Sequence, residues 1–387
     1  MPSDAYQKLG IDLLIDEVAK IDRQNKIVTT QFGKEFGYEK LVIATGSTPL
    51  IPKIPDVELA NVFTVPKNAE YLAEMKNKLS NVKDVVVIGA GFIGVEVSEQ
   101  LAKDGKNVYL VEIMPHILPK AFDRDIAKFA TEELEKLGVN ILTGTKVLEI
   151  NGNGKVESVK LENGEIINTQ AAVLAAGYVP NTDIAIQVGL EVNKYKMIRV
   201  DSYMRTADDP DVFAVGDCAQ KIDFITRRSV PIMLASTAVT EARIAGTNLF
   251  ELSTVRTFTG TIVIFSTKVG NKALGSAGLI EEEAKKNGFE IMTGYFEAVD
   301  KHPGTLPNAN KQIVKLIVAK ECGTILGGEV VGGDTVGELI NVIGMAIQRG
   351  LTVTELYTLQ IGTHPLLTPA PTVYPLIKAA EQILFKG

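Results

Sequence analysis

Cysteine is scarce in this sequence: Cys218 and Cys322 are the only two in 387 residues. They lie far apart and without ligand spacing, which excludes a disulfide framework or a zinc site and leads us to expect no metal. A reducing, cytoplasmic setting is the bland expectation. No apolar run reaches membrane-spanning length, so no membrane partner is expected. Residues 1–19 lack the basic and apolar regions of a signal peptide. Excess positive charge is also absent, since the formal net charge is −7, which argues against nucleic acid as a partner. Low-complexity tracts and solenoid repeats are missing. What remains is an ordered globular chain, 45% hydrophobic and 22% charged, long enough for two or three domains.

Short apolar runs at residues 11–14, 26–30 and 40–44 read as strands, the last stopped by Thr45-Gly46. An amphipathic helix is predicted over 68–79 and a strand buried on both faces over 85–88. Helical periodicity over 93–103, closed by Gly105, and a strand over 107–111 complete one βαβ unit and imply a parallel sheet. A helix near 125–137 follows. Asn-Gly turns at Asn151-Gly152, Asn153-Gly154 and Asn163-Gly164 predict a small antiparallel meander before a strand over 172–176. Beyond Phe250, strands over 260–265, 312–318 and 326–331 alternate with helices over 281–287 and 336–349, as in a separate α+β domain.

The strongest motif is Gly89-Ala90-Gly91-Phe92-Ile93-Gly94, placed between a strand and a helix. Gly89 permits the tight turn, Gly91 lets backbone approach a pyrophosphate, and Gly94 lets helix and strand pack closely. The helix N-terminus then faces the phosphates. Glu112 ends the next strand, where an acidic side chain hydrogen-bonds the adenosine ribose and repels a 2′-phosphate, so NADH is favoured over NADPH. The bland alternative is a tight turn beside a solvated strand end.

Three further segments carry a resemblance: Ala44-Thr45-Gly46-Ser47-Thr48-Pro49, Ala176-Gly177-Tyr178-Val179-Pro180-Asn181 and Ala214-Val215-Gly216-Asp217-Cys218. With the glycine motif they resemble the pyridine nucleotide-disulfide oxidoreductases, most closely the branch of NADH oxidases, coenzyme A-disulfide reductases and NAD(P)H:sulfur reductases. The resemblance implies an α/β, two-dinucleotide-binding flavoprotein fold: Rossmann-like FAD and NAD domains with a C-terminal α+β interface domain. It divides the chain into a flavin domain at 1–66 and 185–252, an NAD domain at 67–184, and a dimerisation domain at 253–387. It implies FAD held by Ala44, Thr45, Gly46, Asp217, Ser236 and Thr237, with Asp217 accepting from the ribityl chain. Ala235 to Ala238 start a helix whose N-terminus would stabilise negative charge on reduced flavin. Glu96 would sit on the nicotinamide side and Gly177 between the cofactors; their alternatives are a helix-surface acid and a strand-end turn.

Relatives in this family open with a glycine-rich FAD turn and a redox cysteine, and neither is in this sequence. Residues 2–6 and 10–12 resemble the segment that follows that cysteine, so the chain is expected to begin partway through its flavin domain. Cys218, next to Asp217, and Cys322, in a turn at Glu321-Gly323, are poor substitutes for the nucleophile. His116 and His302 read as surface residues. His364, in Thr363-His364-Pro365, resembles the acid–base histidine that reaches the partner subunit's site, although Pro369 stands where a carboxylate is usual. Three functions stay open. One is an FAD enzyme passing electrons from NADH to a disulfide, a sulfur species or oxygen, as a homodimer acting on a small molecule. The others are a reductase for a small redox protein and a catalytically incomplete NADH-binding protein.

Overall fold

The computed structural model describes residues 3–252 and 257–385. The first two residues of the expected flavin domain, the start of the expected dimerisation domain at 253 and the last two residues lie outside that range. Contacts gather the chain into two units: residues 1–47, 179–222 and 229–259 form the first, and residues 48–178, 223–228 and 260–387 the second.

In the first unit, strand Leu41–Ile43 pairs in parallel with Val212–Ala214. A core of Ile43, Ile198, Phe213 and Ala245 lies around this pair. Helix Ala235–Thr247 and the 3₁₀ turn Gly216–Cys218 pack on it. Strands Val18–Asp22, Ile27–Thr30 and Glu35–Gly37 make an antiparallel sheet. The strand expected at 11–14 is not formed: those residues have no regular structure, and Ile11, Leu13 and Leu14 are exposed. An apolar run fixes a strand only where a neighbouring strand takes up its backbone groups.

The second unit is built on a parallel five-stranded sheet in the order Val62–Thr64, Ala171–Leu174, Asp84–Ile88, Asn107–Glu112, Asn140–Thr143. The central strands read Val-Val-Val-Ile and Ala-Ala-Val-Leu because both their faces are buried. The expected meander is present as Val147–Asn151, Ser158–Leu161 and Ile166–Asn168. The same unit holds an antiparallel sheet of Phe265–Val269, Lys272–Gly278, Ile325–Gly332, Lys311–Ala319 and Ile291–Val299. The strand expected at 260–265 instead begins at Phe265, since Gly260 and Val263 take φ of +113° and +48°, which a strand cannot accommodate.

Side-chain alternation divides this second sheet between two cores. Val314, Leu316 and Val330 pack with helices Val336–Gln348 and Pro375–Phe385. Ile313, Leu274 and Val331 face the other way, into the core that contains Phe122, Ile126 and Leu134 of the parallel-sheet half. The two sheets therefore share one hydrophobic interior.

Candidate functional site: a dinucleotide cleft and a second cofactor cradle

Strand Asp84–Ile88 runs into the glycine turn and helix Phe92–Lys103. Gly89 has φ +103°, and a Cβ there would lie 2.5 Å from the carbonyl oxygen of Ala175; at Gly94 it would lie 1.8 Å from that of Gly89. These two glycines are required by close packing. Gly91 differs, because a Cβ there meets nothing within 4 Å and would project into open space. That space is a cleft of about 620 Å³ lined by Gly89, Gly91, Glu112, Thr145, Ala175 and Gly177, among others.

The cleft suits an anionic dinucleotide. The helix begins at Gly91 with no side-chain cap and no acidic residue in its first turn, leaving its first N–H groups available. Glu112 is buried, and its carboxylate accepts from the N–H of Ala90 at 2.6 Å and of Met114 at 2.8 Å. Those bonds fix its orientation while leaving lone pairs for sugar hydroxyls. Thr145 has a buried hydroxyl without a hydrogen-bond partner, a polar atom that a bound nucleotide can satisfy. Glu96 is not among the lining residues; it is exposed, and its Oε1 accepts from Thr267 Oγ1 at 2.9 Å.

The other cradle lies in the first unit. The Asn181 N–H donates to Gly46 O, and the Thr45 hydroxyl donates to Asn181 O, so Ala44, Thr45 and Gly46 are pinned beside Asn181. Asp217 sits in the 3₁₀ turn and accepts from Ser47 Oγ at 2.7 Å. Helix Ala235–Thr247 starts without a side-chain cap, with Ser236 exposed and Thr237 buried. A carboxylate that accepts from hydroxyls, next to uncapped helical N–H groups, fits the polyol and the electron-rich ring of a flavin.

Behind Asp217 lies a buried ion pair. Lys221 and Glu241 are wholly buried and bonded to each other. Burial pushes the Glu241 carboxyl above its usual range, although Lys221 pulls the other way. A lysine inside a buried segment was the available signal, because an unpaired charge is not kept there.

The remaining residues are placed plainly. Cys218 is buried, its thiol directed at the carbonyls of Val215 and Ile43. Cys322 is exposed, and hydrogen bonds from Thr324 hold its thiol below its ordinary range. His364 is exposed in a loop and its Nδ1 accepts from the Leu366 N–H at 3.3 Å, which in the neutral ring puts the proton on Nε2.

A second charged cluster joins the two halves of the second unit. Lys315 Nζ lies 2.8 Å from Asp123 Oδ2, 3.0 Å from Asp125, 3.2 Å from Glu281 and 3.6 Å from Glu329. Asp123 also accepts from the N–H groups of Glu281 and Glu282. Burial opposes the Asp123 charge, but hydrogen bonds with Glu329 and Lys315 outweigh it and hold its carboxyl below the usual range. Burial pushes Glu329 well above that range.

Comparison with known proteins matches these observations. Residues 4–242 match the family described as pyridine nucleotide-disulphide oxidoreductase, and residues 264–373 match its dimerisation domain. An NADH oxidase of Methanocaldococcus jannaschii is 31% identical over 395 residues, covering 100% of this chain and 85% of that protein. The solved NAD-dependent persulfide reductase of A. fulgidus superposes with a TM-score of 0.92 at 32% identity, covering 99% of this chain and 71% of that one. A water-forming NADH oxidase from Lactobacillus brevis, bound to NADH, gives 0.90 at 27% identity, covering 99% and 84%.

Proposed function

Because the chain belongs to the pyridine nucleotide-disulphide oxidoreductase family, we propose that it is an FAD-dependent enzyme taking hydride from NADH and passing electrons to oxygen or a sulfur species. The two acceptor classes are those of the similar NADH oxidases and persulfide reductase. The observation that carries the nucleotide half is the cleft, where an uncapped helix start, an open Gly91 and an oriented Glu112 converge. Bound FAD supplies two-electron acceptance from a nicotinamide and onward electron delivery.

The chain's own residues bind and orient. Backbone N–H groups after Gly91 take the pyrophosphate, and Glu112 takes the ribose hydroxyls and disfavours a 2′-phosphate. Gly177, on the cleft's wall, leaves room for the nicotinamide end. Asp217, Ser236, Thr237 and the segment Ala44-Thr45-Gly46 hold the flavin. For Glu96 a nicotinamide-side role rests on resemblance, and a raised KM for NADH in Glu96→Gln is its test. His364 is assigned acid–base work at a partner subunit's site, where its Nε2 proton is the one to be transferred. Neither cysteine is assigned the redox role: one is sealed and the other lies in a turn of the antiparallel-sheet half. We propose the division 1–66 with 185–252, 67–184 and 253–387 for the three domains. A homodimer in the cytoplasm completes the reading; among the described residues no helix is long and apolar enough to cross a membrane.

Gly91→Val tests the assignment, since its side chain occupies the open space of the cleft. NADH affinity should fall at least about tenfold, as expected for blocking backbone approach to the pyrophosphate. Titration that finds it unchanged rules out the cleft as the nucleotide site.

A further inference from the structure

The turn that carries Asp217 is gripped from below by the buried ion pair. Both side chains are 0% exposed, with Lys221 Nζ lying 2.9 Å from Oε1 and 3.0 Å from Oε2 of Glu241. Each partner also holds the residue before Asp217. Glu241 Oε2 accepts the Gly216 N–H at 2.8 Å, and Lys221 Nζ donates to the Gly216 carbonyl at 2.6 Å and to that of Ala219 at 2.8 Å. Both backbone polar groups of Gly216, a residue at φ +74°, are thus fixed by one pair of charges.

Stability alone gives little reason for this arrangement. Removing two charges from water is expensive, and a well-packed apolar pair of similar volume is commonly as stable or more so. What an apolar pair cannot do is hold an N–H and a C=O of the same peptide segment in register. The residue that follows is Asp217, whose carboxylate already has one orientation marked by the Ser47 hydroxyl at 2.7 Å.

We propose that Lys221 and Glu241 are positioning residues for the flavin: through Gly216 they set the Asp217 carboxylate where it accepts from a hydroxylated cofactor chain. The inference rests on the reading of FAD as the cofactor of this unit. The pair touches no cofactor itself, being sealed beneath the turn.

The test is the FAD dissociation constant of the full chain, read by flavin fluorescence at a temperature well below each variant's own melt. Lys221→Met should raise it at least about tenfold, the scale of a lost hydrogen bond to a charged group. Glu241→Gln keeps an oxygen for the Gly216 N–H but turns an amide NH2 toward the Lys221 ammonium, and should raise it, by less than Lys221→Met does. In an Asp217→Ala background Lys221→Met should add nothing, because residues acting through one another are not additive. If Lys221→Met does not fold, Lys221→Gln, which retains a donor, is judged by the same non-additivity. Wild-type affinity in the lysine variant, or a full additional loss in the Asp217→Ala background, overturns the inference alone. Failure of the unsubstituted chain to bind FAD overturns the flavin reading beneath it.

Discussion

The ammonium of Lys315 lies 2.8 Å from Oδ2 of Asp123, tying a strand of the antiparallel sheet to the residue that starts helix Arg124–Lys136 of the parallel-sheet half. The lysine side chain is 6% exposed, and Asp123 simultaneously receives two N–H groups of helix Glu281–Lys286. Replacing Lys315 by methionine leaves Asp123 buried without its cation. The expected loss is about 3–5 kcal/mol, the range for breaking one side of a buried pair. Urea unfolding measures it, and a loss under about 1 kcal/mol would show that water screens the cluster.

Glu329 and Asp123 pull the pH dependence in opposite directions. The Glu329 carboxyl is raised by burial, so its contribution to stability is complete below the value of an unfolded glutamate and is lost as pH rises through its folded value. The Asp123 carboxyl is lowered, so its contribution is present above the unfolded value and is lost as pH falls through the folded one. Glu329→Gln should therefore gain stability relative to the parent as pH rises. Melting temperatures across pH 5 to about 9 test the sign; a difference that stays constant would mean Glu329 does not titrate in this window.

On the proposed assignment of the cleft, Glu112→Ala should narrow the preference for NADH over NADPH by about tenfold, because a carboxylate at that place repels a 2′-phosphate. NADH binding should weaken as well, since the buried N–H of Ala90 loses its acceptor. Steady-state KM values for both nucleotides provide the check. An unchanged ratio would assign discrimination to another residue of the cleft.

Helix Val336–Gln348 buries Leu339, Ile340, Ile343 and Ile347, yet leaves Val342 39% and Met345 64% exposed. Such an apolar strip on a helix within the segment that matches a dimerisation domain is expected to be covered by a second copy. Met345→Glu should shift a micromolar sample from dimer toward monomer in light scattering. A dimer that survives the charge would place the interface elsewhere.

The parts of this fold that were legible in sequence are those coded locally. Gly89, Gly91 and Gly94 with flanking apolar runs specify a βαβ turn, and the acidic strand end falls where the topology puts it. Residues 11–14 misled because hydrophobicity states a preference for burial and does not supply a pairing partner. The Lys315 cluster draws on positions 123, 125, 281, 315 and 329, so no spacing rule could assemble it. Its one trace was a lysine in the middle of Gln312-Ile313-Val314-Lys315-Leu316-Ile317-Val318. Lys221 and Glu241 likewise meet only through the fold.

The interior shared by the parallel and antiparallel sheets has a consequence for engineering. A module lifted out at the expected boundary near residue 253 would carry Phe122, Ile126 and Leu134 into water, because Leu274, Ile313 and Val331 complete their packing from beyond it. If the cleft is the nucleotide site as proposed, nucleotide preference is therefore better altered in place, by exchanging Glu112 to Met114 and Leu118 to Ala121 on its wall, than by grafting a donor's whole corresponding region.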